Sequence, residues 1–126
     1  MQKIKEKRLD LLRFHRENGT VEVRKLPAGT RITLETATEV YELEVGTPKL
    51  GVVLIASDRR FPGRDKAVVS GSFDSNAAIF LPEIIGQGLS TVLKRPYARV
   101  VRTGPVLAAT IRGKDDSYTY EMWNLE

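Results

Sequence analysis

The chain contains no cysteine, and only one histidine and one tryptophan among its 126 residues. Without cysteine there are no disulfides and no thiolate chemistry, so packing and hydrogen bonds alone must hold the fold. A lone histidine, His15, leaves metal ligation and Ser-His or Cys-His catalysis without the partners they need at ligand spacing. At the end of a basic helix its expected place is the surface, near the negative end of the helix dipole. No apolar run approaches the ~20 residues that cross a bilayer. The charged start, Met1-Gln-Lys-Ile-Lys-Glu-Lys-Arg8, is not followed by the apolar core of a signal peptide. These absences lead to the expectation of a cytoplasmic, non-membrane protein without a cofactor or a metal.

What is present is alternation. In Thr30–Thr36 and Val40–Val45 apolar side chains recur at every second position, with charged or hydroxyl residues between them. Successive strand side chains point to opposite faces, so Ile32, Leu34, Tyr41, Leu43 and Val45 are expected on one buried surface. Arg31, Glu35, Glu42 and Glu44 then face water. Further strands are expected over 20–26, 50–57, 66–73, 90–94, 98–103, 106–112 and 117–123. Turn residues separate them: Pro27-Ala-Gly29, Gly46-Thr-Pro48, Pro62-Gly63, Gly86-Gln-Gly88, Gly104-Pro105 and Gly113-Lys-Asp-Asp116. Lys49–Ser57 is apolar on both faces, which predicts a strand covered on both sides. In 117–123 the Tyr118/Tyr120/Met122 face and the Thr119/Glu121/Trp123 face both carry large side chains. That end strand is expected under the helix or under a partner.

Residues 2–17 lack proline and glycine and are rich in good helix formers, with Ile4, Leu9, Leu11, Leu12 and Phe14 as a ragged apolar stripe. Gly19 supplies a left-handed cap. The expected architecture is therefore all-β, a small barrel or strongly curled antiparallel sheet with one N-terminal amphipathic helix. The domain reading is a basic helix over 1–18 and a single small β domain over 19–126. Many short strands at this spacing favour closure, which removes exposed edges.

Charge is unevenly spread: the net +4 of the chain divides into +4 over 1–25, −3 over 26–58 and +3 over 59–126. Such segregation suits a polyanion or the complementary meeting of two copies. Two basic-aromatic clusters stand out. One is Arg59, Arg60, Phe61 and Arg64 with Lys66; the other is Lys94, Arg95, Tyr97 and Arg99 with Arg102. Arginine offers charge and a stacking plane, and Phe61 or Tyr97 offers a ring, the means by which small barrels grip single-stranded nucleic acid. Asn76–Ile85 departs from the strand regularity, because Pro82 interrupts an apolar run and Gly86 and Gly88 follow it. Such a run is expected as a core crossover; the alternative is an exposed partner patch formed by Ile79, Phe80, Leu81, Ile84 and Ile85.

The remaining polar clusters have plain structural readings. Ser70-Gly71-Ser72 does not form a nucleophile elbow and reads as a strand with a close-packing or bulged glycine. Gly86-Gln-Gly88 is half of a dinucleotide fingerprint without its strand and helix. Asp115-Asp116 fits a hairpin turn, and Glu39, Glu42 and Glu44 fit a solvated strand face.

Two resemblances add to this. Arg60 and Arg64 make an Arg-x-x-x-Arg spacing that resembles the PilZ domain, a small barrel that binds a cyclic dinucleotide through such arginines and a later Asp/Asn-x-Ser-x-x-Gly. Here the later segment is Phe73-Asp-Ser-Asn-Ala-Ala78, with serine directly after the aspartate and no closing glycine. More broadly, Gly29–Thr36, Val40–Val45, Gly71-Ser72, Ile84/Ile85 with Gly88, and Thr103-Gly-Pro-Val106 resemble a set of uncharacterised small bacterial β proteins. That resemblance spans about residues 28–110, implies the β fold and implies no activity. The expected function is a non-catalytic binding or assembly module acting as a homo-oligomer. A nucleic-acid-binding barrel is the main alternative, and PilZ-like cyclic dinucleotide binding a minor one.

Overall fold

The computed structural model describes residues 11–57, 65–96 and 98–126. Helix α1 occupies residues 11–18. It stops at Gly19, whose φ of +63° lets its N–H reach back to the Arg16 carbonyl at 3.1 Å. The strands are β1 (Thr20–Glu22), β2 (Arg31–Glu35), β3 (Val40–Thr47), β4 (Val52–Ser57), β5 (Asp65–Asp74) and β6 (Ile79–Pro82). They continue with β7 (Ile84–Gly86), β8 (Ser90–Lys94), β9 (Val101–Pro105), β10 (Ala108–Arg112) and β11 (Thr119–Asn124). The part of the expected helix over 2–10 lies outside the described residues.

The strands form one antiparallel sheet in the order β11-β10-β2-β3-β4-β5-β8-β9, with β6 added to β5 and a separate β1-β7 ladder. This path has two ends, so the sheet is curled but is not a closed barrel. The reason lies at the corner where β9 becomes β10. Leu107 donates its N–H to Glu35 in β2, while Val106 donates to Leu89 beside β8. The Val106 carbonyl accepts from Gly88 N–H and, at 3.1 Å, from Trp123 Nε1. The corner stitches the two halves of the sheet together and leaves no ladder between β9 and β11.

Bulges supply the curl. They fall at Val45/Thr47, Val69/Gly71, Ser90/Val92 and Ala109/Thr110. At the last of these, Ala109 faces Trp123 while Thr110 faces Glu121, so Met122 is the extra residue. Adjacent Met122 and Trp123 are both buried for this reason. Helix α1 covers the same strand: the Arg16 guanidinium lies 4.0 Å from the centre of the Tyr120 ring, and its Nε donates to the Glu121 carbonyl at 3.0 Å.

The alternation in β2 and β3 is realised as read, with Ile32, Leu34, Tyr41, Leu43 and Val45 all in the core. Elsewhere packing altered the pattern. The strand expected over 20–26 ends at Glu22, because Val23–Lys25 tighten into a 3₁₀ turn closed by Leu26 N–H on the Val23 carbonyl at 3.1 Å. Residues three apart eclipse in such a turn, so Val23 and Leu26 enter the core together. β4 is covered on one side only: Val53 and Ile55 are buried, whereas Val52, Leu54 and Ala56 are half-buried on the outer face. The run 76–85, expected as a core crossover, is instead divided. β6 is exposed along its whole length, while Ile85 in β7 is buried against Val21.

The helix phase also differs from expectation. Leu12 and His15, three residues apart, share the inward face, and both are buried; Phe14 points outward. Helix α1 is thereby part of the core and not a detachable appendage. Leu12→Ala should cost about 2–5 kcal/mol, the usual range for a fully buried leucine, and urea unfolding would measure it.

Candidate binding surface

Of the cations and rings expected to bind a polyanion, Arg59, Arg60, Phe61, Arg64 and Tyr97 lie outside the described residues. Arg95 is committed elsewhere: its Nη1 stands 3.3 Å from Asp65 Oδ2, and its side chain is only 23% exposed. Arg99 is exposed in the segment leading into β9. Of the expected partner patch, Ile79 (51%), Phe80 (47%) and Leu81 (36%) are exposed. Ile84 is half-buried, and Ile85 belongs to the core and offers nothing to a partner.

The structure places these pieces on a definite face. In β5, Ser72 points inward, where its Oγ donates to the Ile84 carbonyl at 2.8 Å and accepts from Gly86 N–H at 2.9 Å. This pins β7 under β5, and it turns Gly71 and Phe73, the neighbours of Ser72, outward. Thr91, Leu93, Val101 and Thr103 are likewise buried on the inner side, so Val92, Lys94 and Arg102 face out. Residues opposite one another across a ladder share a face. One outward row therefore runs Phe80–Phe73–Ser90–Pro105, and the next runs Gly71–Val92–Arg102. Val68 and Lys94 form a third pair.

On this face the Arg102 guanidinium lies 4.8 Å from the centre of the Phe73 ring. Phe80 leans over Gly71, where a β-carbon would approach its Cζ to 2.8 Å. Gly71 is at φ +150°, beside the bulge, so glycine serves both the backbone and the ring above it. Sequence reading missed the partnership of Phe73 and Phe80, although a signal was there: they flank residues 74–79 at the spacing of a hairpin. Asp74 closes that turn by accepting from Asn76 N–H at 3.0 Å and Ala77 N–H at 3.3 Å. The carboxylate of the PilZ-like segment is thus engaged in its own turn.

The other polar candidates have structural partners. Asp116 pairs with Arg31, and Asp115 and Asp116 both adopt positive φ in the β10–β11 turn. Gly88 takes φ +72° in the turn between β7 and β8, where Leu89 N–H returns to the Gly86 carbonyl at 3.1 Å. Among the described residues, no group of three or more His, Cys, Asp or Glu is placed to hold a metal ion. No described helix is long and apolar enough to cross a membrane. Glu83, at φ +69°, turns β6 into β7 and holds Arg24 at 3.3 Å.

His15 corrects the expectation of a surface histidine. It is only 1% exposed, and neither ring nitrogen has a hydrogen-bond partner among the described residues. Burial pulls its pKa below the ordinary 6.5; the Glu22 carboxylate opposes that shift and Lys25 reinforces it.

The fold and this face define a curled antiparallel-sheet protein with an aromatic and basic outer surface. No protein-family model matches the chain, and no significant similarity links it to a curated protein or a solved structure.

Proposed function

We propose that this chain is a non-catalytic assembly module that pairs with a second copy of itself along β6. The observation that carries this reading is the free edge of that strand. β4 and β6 lie on the same side of β5, β4 along Asp65–Val68 and β6 along Gly71–Asp74. β3 continues the sheet beyond β4, but no described strand continues it beyond β6. An edge presents backbone N–H and C=O groups as a template for another strand, and natural sheets guard such edges with lysine, bulges or early proline. Residues 75–82 carry no charge, and Pro82 comes only at the end of the strand. The flanking charges are engaged: Asp74 in its turn and Glu83 with Arg24.

A second copy fits this edge because antiparallel pairing of one strand with itself is satisfied by a two-fold axis. It also sets no like charges opposite one another. The inward face of helix α1, Leu12 and His15, is already used on its own sheet.

Sedimentation velocity would test the reading. The protein should run at twice the chain mass, and Ile79→Lys with Leu81→Lys should return it to the chain mass while leaving the fold intact. A wild-type chain that stays monomeric at high micromolar concentration would remove the reading.

A further inference from the structure

We infer that the outer face of β5, β8 and β9, together with Phe80 of β6, is a binding surface for single-stranded nucleic acid. This goes beyond self-association, which uses the edge of β6 and not this face.

Three features meet there. The first is a stacking platform: Phe80 lies in the same outward row as Phe73, and Arg102 lies over the Phe73 ring at 4.8 Å. Bases stack on aromatic rings and on guanidinium planes alike, and such stacking tolerates any sequence because every base has a π-face. The second is charge. Residues 84–114 contain six Lys and Arg and no Asp or Glu. Lys94 and Arg102 are exposed on the outer face, and Lys66 is exposed on the same face of β5, opposite Leu54 of β4. The third is the scarcity of carboxylates on these strands, the nearest along the Lys66 row being Glu44 of β3, beyond Leu54. β8 and β9 carry no carboxylate, and the two carboxylates of β5 sit at its ends, Asp65 on Arg95 and Asp74 in its turn.

The surface is open and sheet-like, with the Phe80 ring exposed and the half-buried Phe73 ring under Arg102. Unpaired bases can lie flat on such a surface; in a duplex they remain stacked on one another and are not available to it. Single strands are therefore the polyanion that uses all three features, since a duplex or polyphosphate would use only the charge.

Fluorescence anisotropy with labelled random 20-nucleotide RNA and DNA single strands, the matching duplex and polyphosphate as competitor would test this, at about 50 and 200 mM salt. The single strands should bind more tightly than the duplex. With ~4 phosphate contacts, affinity should fall on the order of fifty-fold across that salt range. Phe80→Leu keeps apolar bulk over Gly71 but removes the ring, and should weaken binding roughly five- to hundred-fold. Arg102→Gln should weaken binding and flatten the salt dependence. Circular dichroism and the thermal midpoint of both variants should match wild type, which separates a lost contact from a lost fold. Absence of binding at the lower salt overturns the inference. So does equal binding to duplex and single strand, or an affinity indifferent to both substitutions. Because Ile79→Lys with Leu81→Lys reads mass and Phe80→Leu reads anisotropy, self-association and nucleic-acid binding can fail separately.

Discussion

Gly71→Ala should destabilise the protein by about 3 kcal/mol, the combined scale of a strained backbone and an overpacked site. Two independent costs meet at that position. Its φ of +150° lies where side chains with a β-carbon are rarely found. The new methyl group would also overlap the Leu81 carbonyl oxygen and press on Phe80. The first obstacle is backbone and cannot be relieved by a rotamer change, so β6 would have to leave β5. Urea unfolding followed by tryptophan fluorescence would give the loss in stability. A lower m-value, with less surface exposed on unfolding, would show that the β5–β6 hairpin had already come away in the native state. A native-like midpoint would mean that β6 does not approach Gly71 as closely as described. Loss of the hairpin would also take Phe80 and the β6 edge with it, so the same variant should lose both proposed contacts.

His15→Leu should raise stability by about 1–3 kcal/mol, because a buried nitrogen without a partner carries the cost of its lost hydration. Leucine fills a similar space beside Leu12 without that cost. The pH dependence gives a sharper test. Burial lowers the folded-state pKa of His15 below 6.5, so on acidification the unfolded chain takes up the proton first. Stability from this group is therefore complete above about pH 6.5 and is lost as pH falls through the folded-state value. The gap between His15→Leu and wild type should widen below pH 6.5, by at most about 1.4 kcal/mol per pH unit. Glu22 bears on His15 but is itself held by Lys25 at 2.9 Å, so it offsets the burial only in part. A constant gap between pH 7 and pH 5 would show that the imidazole is already solvated or paired in the folded protein.

The strand content was legible in the sequence where one face of a strand meets the core and the other meets water. β2 satisfies that condition over its length and β3 does so from Val40 to Val45, where the period of two is complete until the bulge at Val45/Thr47. β6 does not satisfy it. Its four residues are apolar or proline, which is the composition of a core segment, yet all are exposed. Nothing local distinguishes a buried apolar run from an exposed one; the difference arises because β5 offers β6 an edge and no described strand lies beyond it. His15 was misplaced for a related reason. Its helix phase relative to Leu12 was available, but the position of β11 under α1 was not, and the two together decide which residues point inward.

The candidate surface shows the same division. Reading along the chain grouped arginines with the aromatics next to them in sequence. The sheet grouped Phe80, Phe73 and Arg102 instead, through the pairing of β6 with β5 and of β5 with β8 and β9. Arg95, prominent in the sequence, is held by Asp65 from thirty residues away.

Although Gly104 and Pro105, expected as a turn, are the last residues of β9, the sequence by itself determined the antiparallel β character, most strand positions, the turns at 27–29 and 113–116 and the stop of the helix at Gly19. Each of these depends on a residue and its near neighbours: the alternation of side chains along an extended backbone, the dihedral freedom of glycine, the ring of proline. Only the tertiary structure decided that the sheet stays open between β9 and β11, that His15 is buried and that Phe73, Phe80 and Arg102 share a face. Those outcomes depend on the register between distant segments, and a pattern of period two specifies which side of a strand is apolar without specifying the strand beside it.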